Sequence, residues 1–526
     1  MRWKVLVALV LVCSLLLGGC GLGTPEYVSY GDMEYTRPDL DALEAALDAA
    51  VCTALEEKNS LEAVLEGISV FYDEYDWFYT SYSLADLHYC SDMTDIYWEK
   101  EYNYCGENTA RVEAALEELY YALAASPHRE ALEAPEYFGP GYFDRYDGDN
   151  LWDEAFTALL EQEQQLQSQY YTLSTQALEH VPGTVEYYDL FADDLAQLLV
   201  ELIRLRQEIA ACWGYEDYAA FTGDFYYSRD YTPEQMKDYL ARIRTELVPL
   251  YRKLDPGCWE ASYAYSDEAQ TLGFLRQAAK NMGGTMEEAF ALMEKAQLYD
   301  ISYGENKYAA SFEVYLTSYY EPFIFMSPSQ TRYDWLALAH EFGHFCNDYA
   351  CYGSYSGLEV TEVLSQGMEY MALCYGEDAG ELLNMKLADS LAVYVEQAAY
   401  ASFEQRMYSL SGEELSVQAL YDLYFRVARE YGLDYTGFDP REFVTINHFY
   451  TNPLYIISYV VSNDAAMQIY QLELETAGAG LELMEKSLYT QQYGFQDYLQ
   501  EAGLESPFAP GRIQKVKQTF ESLLVR

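Results

Sequence analysis

His340-Glu341-Phe342-Gly343-His344 is the stretch from which the rest of the chain can be read. Residues four apart on a helix share a face, so two imidazoles on one turn can grip a single ion while Glu341 stands beside them to take a proton from water. The surroundings predict that helix. Thr331 followed three residues later by Asp334 gives a start signal, and Trp335, Leu336 and Leu338 carry an apolar face into His340. Gly343 costs a helix about 1 kcal/mol of propensity, which is tolerable where another backbone must press close. Cys346 and Cys351 are nearby sulfur donors. Cys346 lies two residues from His344, about 200° around a helix, and so faces away from the imidazoles. It is assigned to the core or to a disulfide.

A tetrahedral zinc ion, which this donor set suits, needs a third protein ligand and an open position. The next helical pattern, from Leu358 to Cys374, places Glu362, Gln366 and Glu369 on one face among Val360, Val363, Leu364 and Met368. Polar groups on an inward stripe need partners. Glu362 is therefore the expected third ligand, and Glu369 or Gln366 the group that holds an imidazole by hydrogen bond.

Upstream of the motif, Ser311-Phe312-Glu313-Val314-Tyr315-Leu316-Thr317 and Pro322-Phe323-Ile324-Phe325-Met326 are β-prone runs that predict a short strand pair, whose open edge could accept a peptide by strand addition. Elsewhere the rhythm is helical. Thr36 with Asp39 precedes Leu40, Leu43, Leu47, Val51 and Leu55, a cap followed by an apolar stripe. Long patterns run from about Trp152 to His180, ending at Pro182-Gly183, and from about Tyr187 to Cys212, ending at Gly214. Thr232-Pro233-Glu234-Gln235 is a capping box with proline at the first helical position. The fold class is mainly α, with a domain boundary between residues 215 and 230 and no internal repeat.

At the N-terminus, Arg2 and Lys4 precede an apolar run from Val5 to Leu17 that is too short to span a membrane, followed by Gly18-Gly19-Cys20. This reads as an export signal over residues 1–19. Leu17-Gly18-Gly19-Cys20 also resembles the lipobox of bacterial lipoproteins, which implies lipidation at Cys20 and an extracytoplasmic location on the cell membrane. Losing Arg2 and Lys4 takes the formal charge from −55 to −55 − 2 = −57. Such acidity repels phosphate backbones and anionic headgroups, so no nucleic acid partner is expected, and membrane attachment is expected only through the lipid. Beyond Cys13 and Cys20, eight cysteines remain, an even number that permits disulfides in an exported chain without choosing a pairing.

The motif turn, followed by Thr361-Glu362-Val363-Leu364-Ser365-Gln366-Gly367-Met368-Glu369, resembles the M3 metallopeptidases, the group of thimet oligopeptidase and oligoendopeptidase F. Gly214-Tyr215-Glu216-Asp217-Tyr218, Pro322-Phe323-Ile324 and His448-Phe449-Tyr450 with Tyr455 and Tyr459 extend the match over about residues 200–470. The resemblance implies a large helical ellipsoid split by a deep channel, with a small β-hairpin or sheet beside the motif helix. In that layout residues 20–220 cover the channel and residues 221–526 are catalytic. It implies one zinc ion on His340, His344 and Glu362, Glu341 as general base, His448, Tyr455 and Tyr459 as catalytic donors to the oxyanion, Tyr450 at the substrate, and a monomer that cuts short peptides internally.

The sequence departs from this group in two places. Only 17 residues (362 − 344 − 1) separate His344 from Glu362, fewer than the group leads one to expect, and around Ile457, where a further tyrosine is usual, Asn452-Pro453 is added. Rival readings are a thermolysin-like enzyme, an aminopeptidase, a helical carboxypeptidase of the M32 type and an inactive peptide-binding lipoprotein. An M1-type aminopeptidase would carry GxMEN ahead of the motif, which is absent, and the intact set of His340, Glu341, His344 and Glu362 argues against the inactive form.

Overall fold

The computed structural model describes residues 27–148, 152–176, 180, 183–353, 356–377, 379–490 and 492–524. The export signal over residues 1–19 and Cys20 lie outside the described residues. The chain divides into two units, one running to Gln165 and taking in Tyr315–Glu321, the other comprising Leu166–Val314 and Pro322–Arg526.

The first unit is built on three helices, α1 (Leu40–Leu55), α2 (Leu61–Ser91) and α3 (Ile96–Ala124). Leu43, Leu47, Ile68, Phe71, Val112 and Leu119 form its apolar centre. The cap of α1 is Asp39 and not Thr36: the Asp39 carboxylate accepts from the amides of Asp41 and Ala42. Pro38 accounts for the shift, because a proline drives the residue before it into an extended conformation and postpones the helix. Two acidic groups of this unit are tied to strong donors. Glu101 receives the Arg37 guanidinium and the Tyr35 hydroxyl, and Glu113 receives the hydroxyls of Tyr75 and Tyr79.

In the second unit, the capping box at Thr232 and Gln235 forms as expected, and Val185–Cys212 is one helix capped by Thr184. Four further helices matter for the site: α4 (Asp334–Cys351), α5 (Leu358–Tyr375), α6 (Gly380–Ala392) and α7 (Ile457–Glu475). Asp334 opens α4 by reaching back to the amides of Ser329 and Thr331. The expected strand pair, Ser311–Leu316 (β2) and Glu321–Met326 (β3), is joined by a third strand. Tyr299–Asp300 (β1) runs parallel to β3, giving the order β1-β3-β2. β3 is buried along its length and lies just ahead of α4 in the chain.

No helix among the described residues is long and apolar enough to cross a membrane. Among the described residues the eight cysteines from Cys52 to Cys374 form no disulfide, and Cys346 is fully buried as core. Several tyrosines are fully buried, such as Tyr120, whose hydroxyl meets that of Tyr72 at 2.6 Å.

Candidate metal centre and active site

α4 and α5 meet backbone to backbone at Gly343. A Cβ there would stand 2.5 Å from Ser365 Cα and 2.8 Å from the Leu364 carbonyl oxygen, so only glycine lets the two helices come this close. At the other end of the short connection, Gly357 has no room for a Cβ against the Tyr493 carbonyl. These two approaches let the short connection work. Glu362 Oε2 lies 3.4 Å from His340 Nε2 and 3.9 Å from His344 Nε2, and the three ligand atoms are all within 4.8 Å of one another. Donor atoms around a tetrahedral zinc stand roughly 3.3 Å apart at ordinary bond lengths, so two imidazoles and a carboxylate in this arrangement fit the ion.

Two of the three ligands, His340 and Glu362, are held from behind. The Glu369 carboxylate accepts from His340 Nδ1 at 3.0 Å, which fixes the ring and turns Nε2 toward Glu362. Lys386 on α6 grips the other oxygen of Glu369 at 2.7 Å. Tyr455 donates to Glu362 Oε1 at 2.6 Å, and Ser365 to Oε2 at 3.0 Å. Burial opposes charge on Glu362, but the hydrogen bond from His340, the neighbouring imidazoles and Tyr455 outweigh it and bring the carboxyl down to about 2. At His340 burial again opposes charge, yet hydrogen bonds to Glu362 and Glu369 raise it well above the usual imidazole range. The cluster thus favours positive charge at this point. Burial lowers His344 to about 4, leaving a neutral ring with a free lone pair.

Glu341 is treated differently. Only 7% exposed, it accepts no hydrogen bond from any described residue. Burial raises it to about 7, with Glu362 and Glu369 adding to the rise and His340 opposing it. A carboxylate poised near neutrality without a donor has the property a general base needs. It shares a cavity of about 240 Å³ with His340, Gln366, Glu369 and Tyr459.

The segment from His448 to Tyr459 approaches from the other side. His448 Nδ1 is 2.8 Å from Asn447 Oδ1 and its Nε2 is 3.1 Å from the Tyr459 hydroxyl; burial lowers the ring to about 4. A neutral His448 therefore donates to Asn447 and accepts from Tyr459. The segment is pinned by Arg206, which donates to the carbonyls of Phe449 and Tyr450, and by Tyr227, which donates to that of Pro453.

The structure thus brings together His340, Glu341, His344, Glu362, Glu369, His448, Tyr455 and Tyr459. Gln366 is present but holds no imidazole; its amide nitrogen donates to the Tyr459 carbonyl at 3.1 Å. Tyr450 stands apart. It is fully buried, its ring stacked 4.3 Å from that of Tyr170 and its hydroxyl 3.3 Å from the Leu195 carbonyl. The substrate contact expected of it is corrected to a support of the turn, because a fully buried ring cannot meet a peptide. Lys386 and Ser365 were missed from sequence. A lysine amid Leu382, Met385, Leu387 and Leu391 was the available signal for the first.

Residues 30–149 match the family model of the peptidase M3 N-terminal domain. Among solved structures, one described as an oligoendopeptidase F superposes with a TM-score of 0.81 at 21% identity, over 94% of this chain and 98% of the other. A second, described as an oligoendopeptidase F from Bacillus anthracis, gives 0.79 at 20% over the same shares. PZ peptidase A with an inhibitor gives 0.80 at 19%, again over 94% and 98%. The chain is thus similar to the M3 peptidase N-terminal domain over residues 30–149 and has the oligoendopeptidase F fold. No curated protein matches the sequence closely enough to count as a relative. The M3 resemblance and the mainly α fold expected from sequence are borne out, and the domain and the fold together support a peptidase.

Proposed function

We propose that the chain is a zinc-dependent endopeptidase acting on short peptides. The observation that carries this reading is the convergence of His340, His344 and Glu362 within 4.8 Å beside a buried glutamate that has no donor among the described residues. When bound there, the ion would polarise a peptide carbonyl and acidify water. Glu341 takes the proton of the attacking water and returns it to the leaving amine. Tyr459, which lines the same cavity and donates its hydroxyl proton to His448 Nε2, would turn that proton toward the developing oxyanion when the peptide is attacked. Tyr455 keeps the free oxygen of Glu362 occupied, so that Oε2 is the one turned toward the imidazoles. All of these residues fall within 221–526, the segment read as catalytic.

Products of a mixed peptide library, identified by mass spectrometry with and without a chelator, test the reading. Internal cleavage that the chelator abolishes is expected. Loss of single terminal residues would point to an exopeptidase, and full recovery of the library to an inactive peptide binder. The same proposal includes export directed by residues 1–19, a lipid on Cys20 that holds a monomer to the cell membrane, and no nucleic acid partner. A diacylglycerol mass on the mature N-terminal peptide is expected; an unmodified Cys20 would remove the anchor.

A further inference from the structure

The cavity beside His340 extends away from the metal ligands, between α4, α5 and α6, to a wall that plays no part in the chemistry above. That wall includes Tyr333, Asp389 and two residues of a π-turn, Val393 and Gln397. A π-turn breaks the regular helical spacing and is found mostly at functional positions. Here it directs side chains from both its first and last residues into the cavity.

Two acceptors on this wall bear on what it could hold, alongside the Tyr333 hydroxyl and the Gln397 amide, which can also donate. Gln366 is 4% exposed and lines the cavity; its Nε2 is committed to the Tyr459 carbonyl, so rotation of the amide would set oxygen against oxygen, and Oε1 is left without a donor. Leaving a buried acceptor unpaired costs about 1–3 kcal/mol, which a ligand N–H would relieve. The Asp389 side chain is 22% exposed, and among the described residues its ion pair is a long one, 3.8 Å to Lys386. Lys386 lines the cavity as well, but its side chain is 2% exposed and its charge is taken up by Glu369 at 2.7 Å. Glu341 adds a further acceptor at the catalytic end.

We propose that this cavity is a pocket for a cationic side chain, lysine or arginine, carried by the peptide at the residue adjoining the cleaved bond. The proposal rests on the peptidase reading for the words "cleaved bond" and on the cavity alone for the cation. Asp389 pairs with the charge, and Gln366 Oε1 accepts one of its N–H groups. The formal charge of −55 draws basic peptides toward the protein as a whole, but that attraction is screened by salt, whereas a pocket contact persists.

Capped peptides that differ in one residue next to the cleaved bond provide the test: lysine, norleucine with nearly the same methylene chain and no charge, and glutamate, each placed on either side of the bond. In one of the two series kcat/KM for lysine should exceed that for norleucine about tenfold or more at 0.15 M salt. In Asp389→Asn the ratio should fall below about threefold, and Asp389→Lys should turn the preference toward glutamate; a melting curve checks that each variant folds. Binding to the chelator-treated wild-type protein, followed by fluorescence anisotropy, should show the same order without turnover. Lysine and norleucine peptides cut and bound alike in both series, or a ratio indifferent to both Asp389 variants, would overturn the pocket. If no peptide is cut while the lysine peptide still binds more tightly, the pocket stands and the peptidase reading fails.

Discussion

Around Glu359, near the start of α5, three donors converge on one carboxylate oxygen, Oε1: Arg229 Nε at 2.8 Å, the Tyr231 hydroxyl at 2.6 Å and Ser458 Oγ at 3.0 Å. Around Glu341, on the neighbouring helix α4 and also buried, there is none among the described residues. Both are glutamates in a low-dielectric interior, where an ionised carboxylate is costly unless it is paired. The first region offsets that cost with a cation and two hydroxyls. Arg229, through a second bond to the Leu454 carbonyl, also ties α5 to the segment that carries Tyr455. The second region leaves the cost in place, and Glu341 answers by holding its proton up to about pH 7. In this pair, the buried acid whose charge is held by donors acts as a joint, and the one from which donors are withheld is left as a reagent.

The comparison breaks most sharply at Glu341→Gln. If Glu341 is the base, peptide turnover falls by a factor of about 10² to 10⁴ while metal content stays at one ion per chain; turnover at the wild-type rate would return Glu341 to the class of Glu359. The metal-free proteins should also differ with pH. A carboxyl whose folded value is raised from 4.5 to about 7 keeps its proton in the folded state over a range where the unfolded chain has lost it. Wild-type stability therefore declines as pH rises from about 4.5 to about 7, and the variant, whose amide does not titrate, escapes the decline. Denaturant titrations at pH 5 and pH 8 should show Glu341→Gln gaining on the wild type at the higher pH.

Glu359→Ala should do the opposite. Removing this partner strands Arg229 in the interior, and breaking a buried pair from one side costs about 3–5 kcal/mol. The midpoint of denaturation should drop with little change in helical signal before unfolding. A loss under about 1 kcal/mol would mean that water replaces the carboxylate, and that the joint is not what distinguishes the two regions.

Much of this was legible in the sequence, for reasons that belong to particular residues. The four-residue spacing of His340 and His344 fixes a shared helical face, and Glu362 shows itself as a polar group on an otherwise apolar stripe. The capping box at Thr232 follows local rules that act within three residues. What escaped depends on contacts between elements. Tyr450 follows His448 by two residues, and nothing in that triplet says which ring turns inward. Lys386 reaches Glu369 from another helix, where no spacing rule applies. β1 is two residues long, too short to show a period of two.

The support behind His340 gives a finer version of the same contrast. Glu369 is a carboxylate with its donors complete, from His340 on one oxygen and Lys386 on the other, yet it sits one contact from the ion site. If completeness alone defined a joint, Glu369→Gln would cost stability and nothing else. A neutral amide in its place keeps an acceptor for His340 Nδ1 but loses the negative charge that makes Nε2 a better donor to the metal. Zinc affinity, measured by competition with a coloured chelator, should therefore weaken about 10- to 100-fold, while the melting temperature of the metal-free protein moves less than that of Glu359→Ala. Affinity unchanged with stability lost would place Glu369 with Glu359, and the Lys386–Glu369–His340 chain would then be scaffolding that happens to end at a metal ligand.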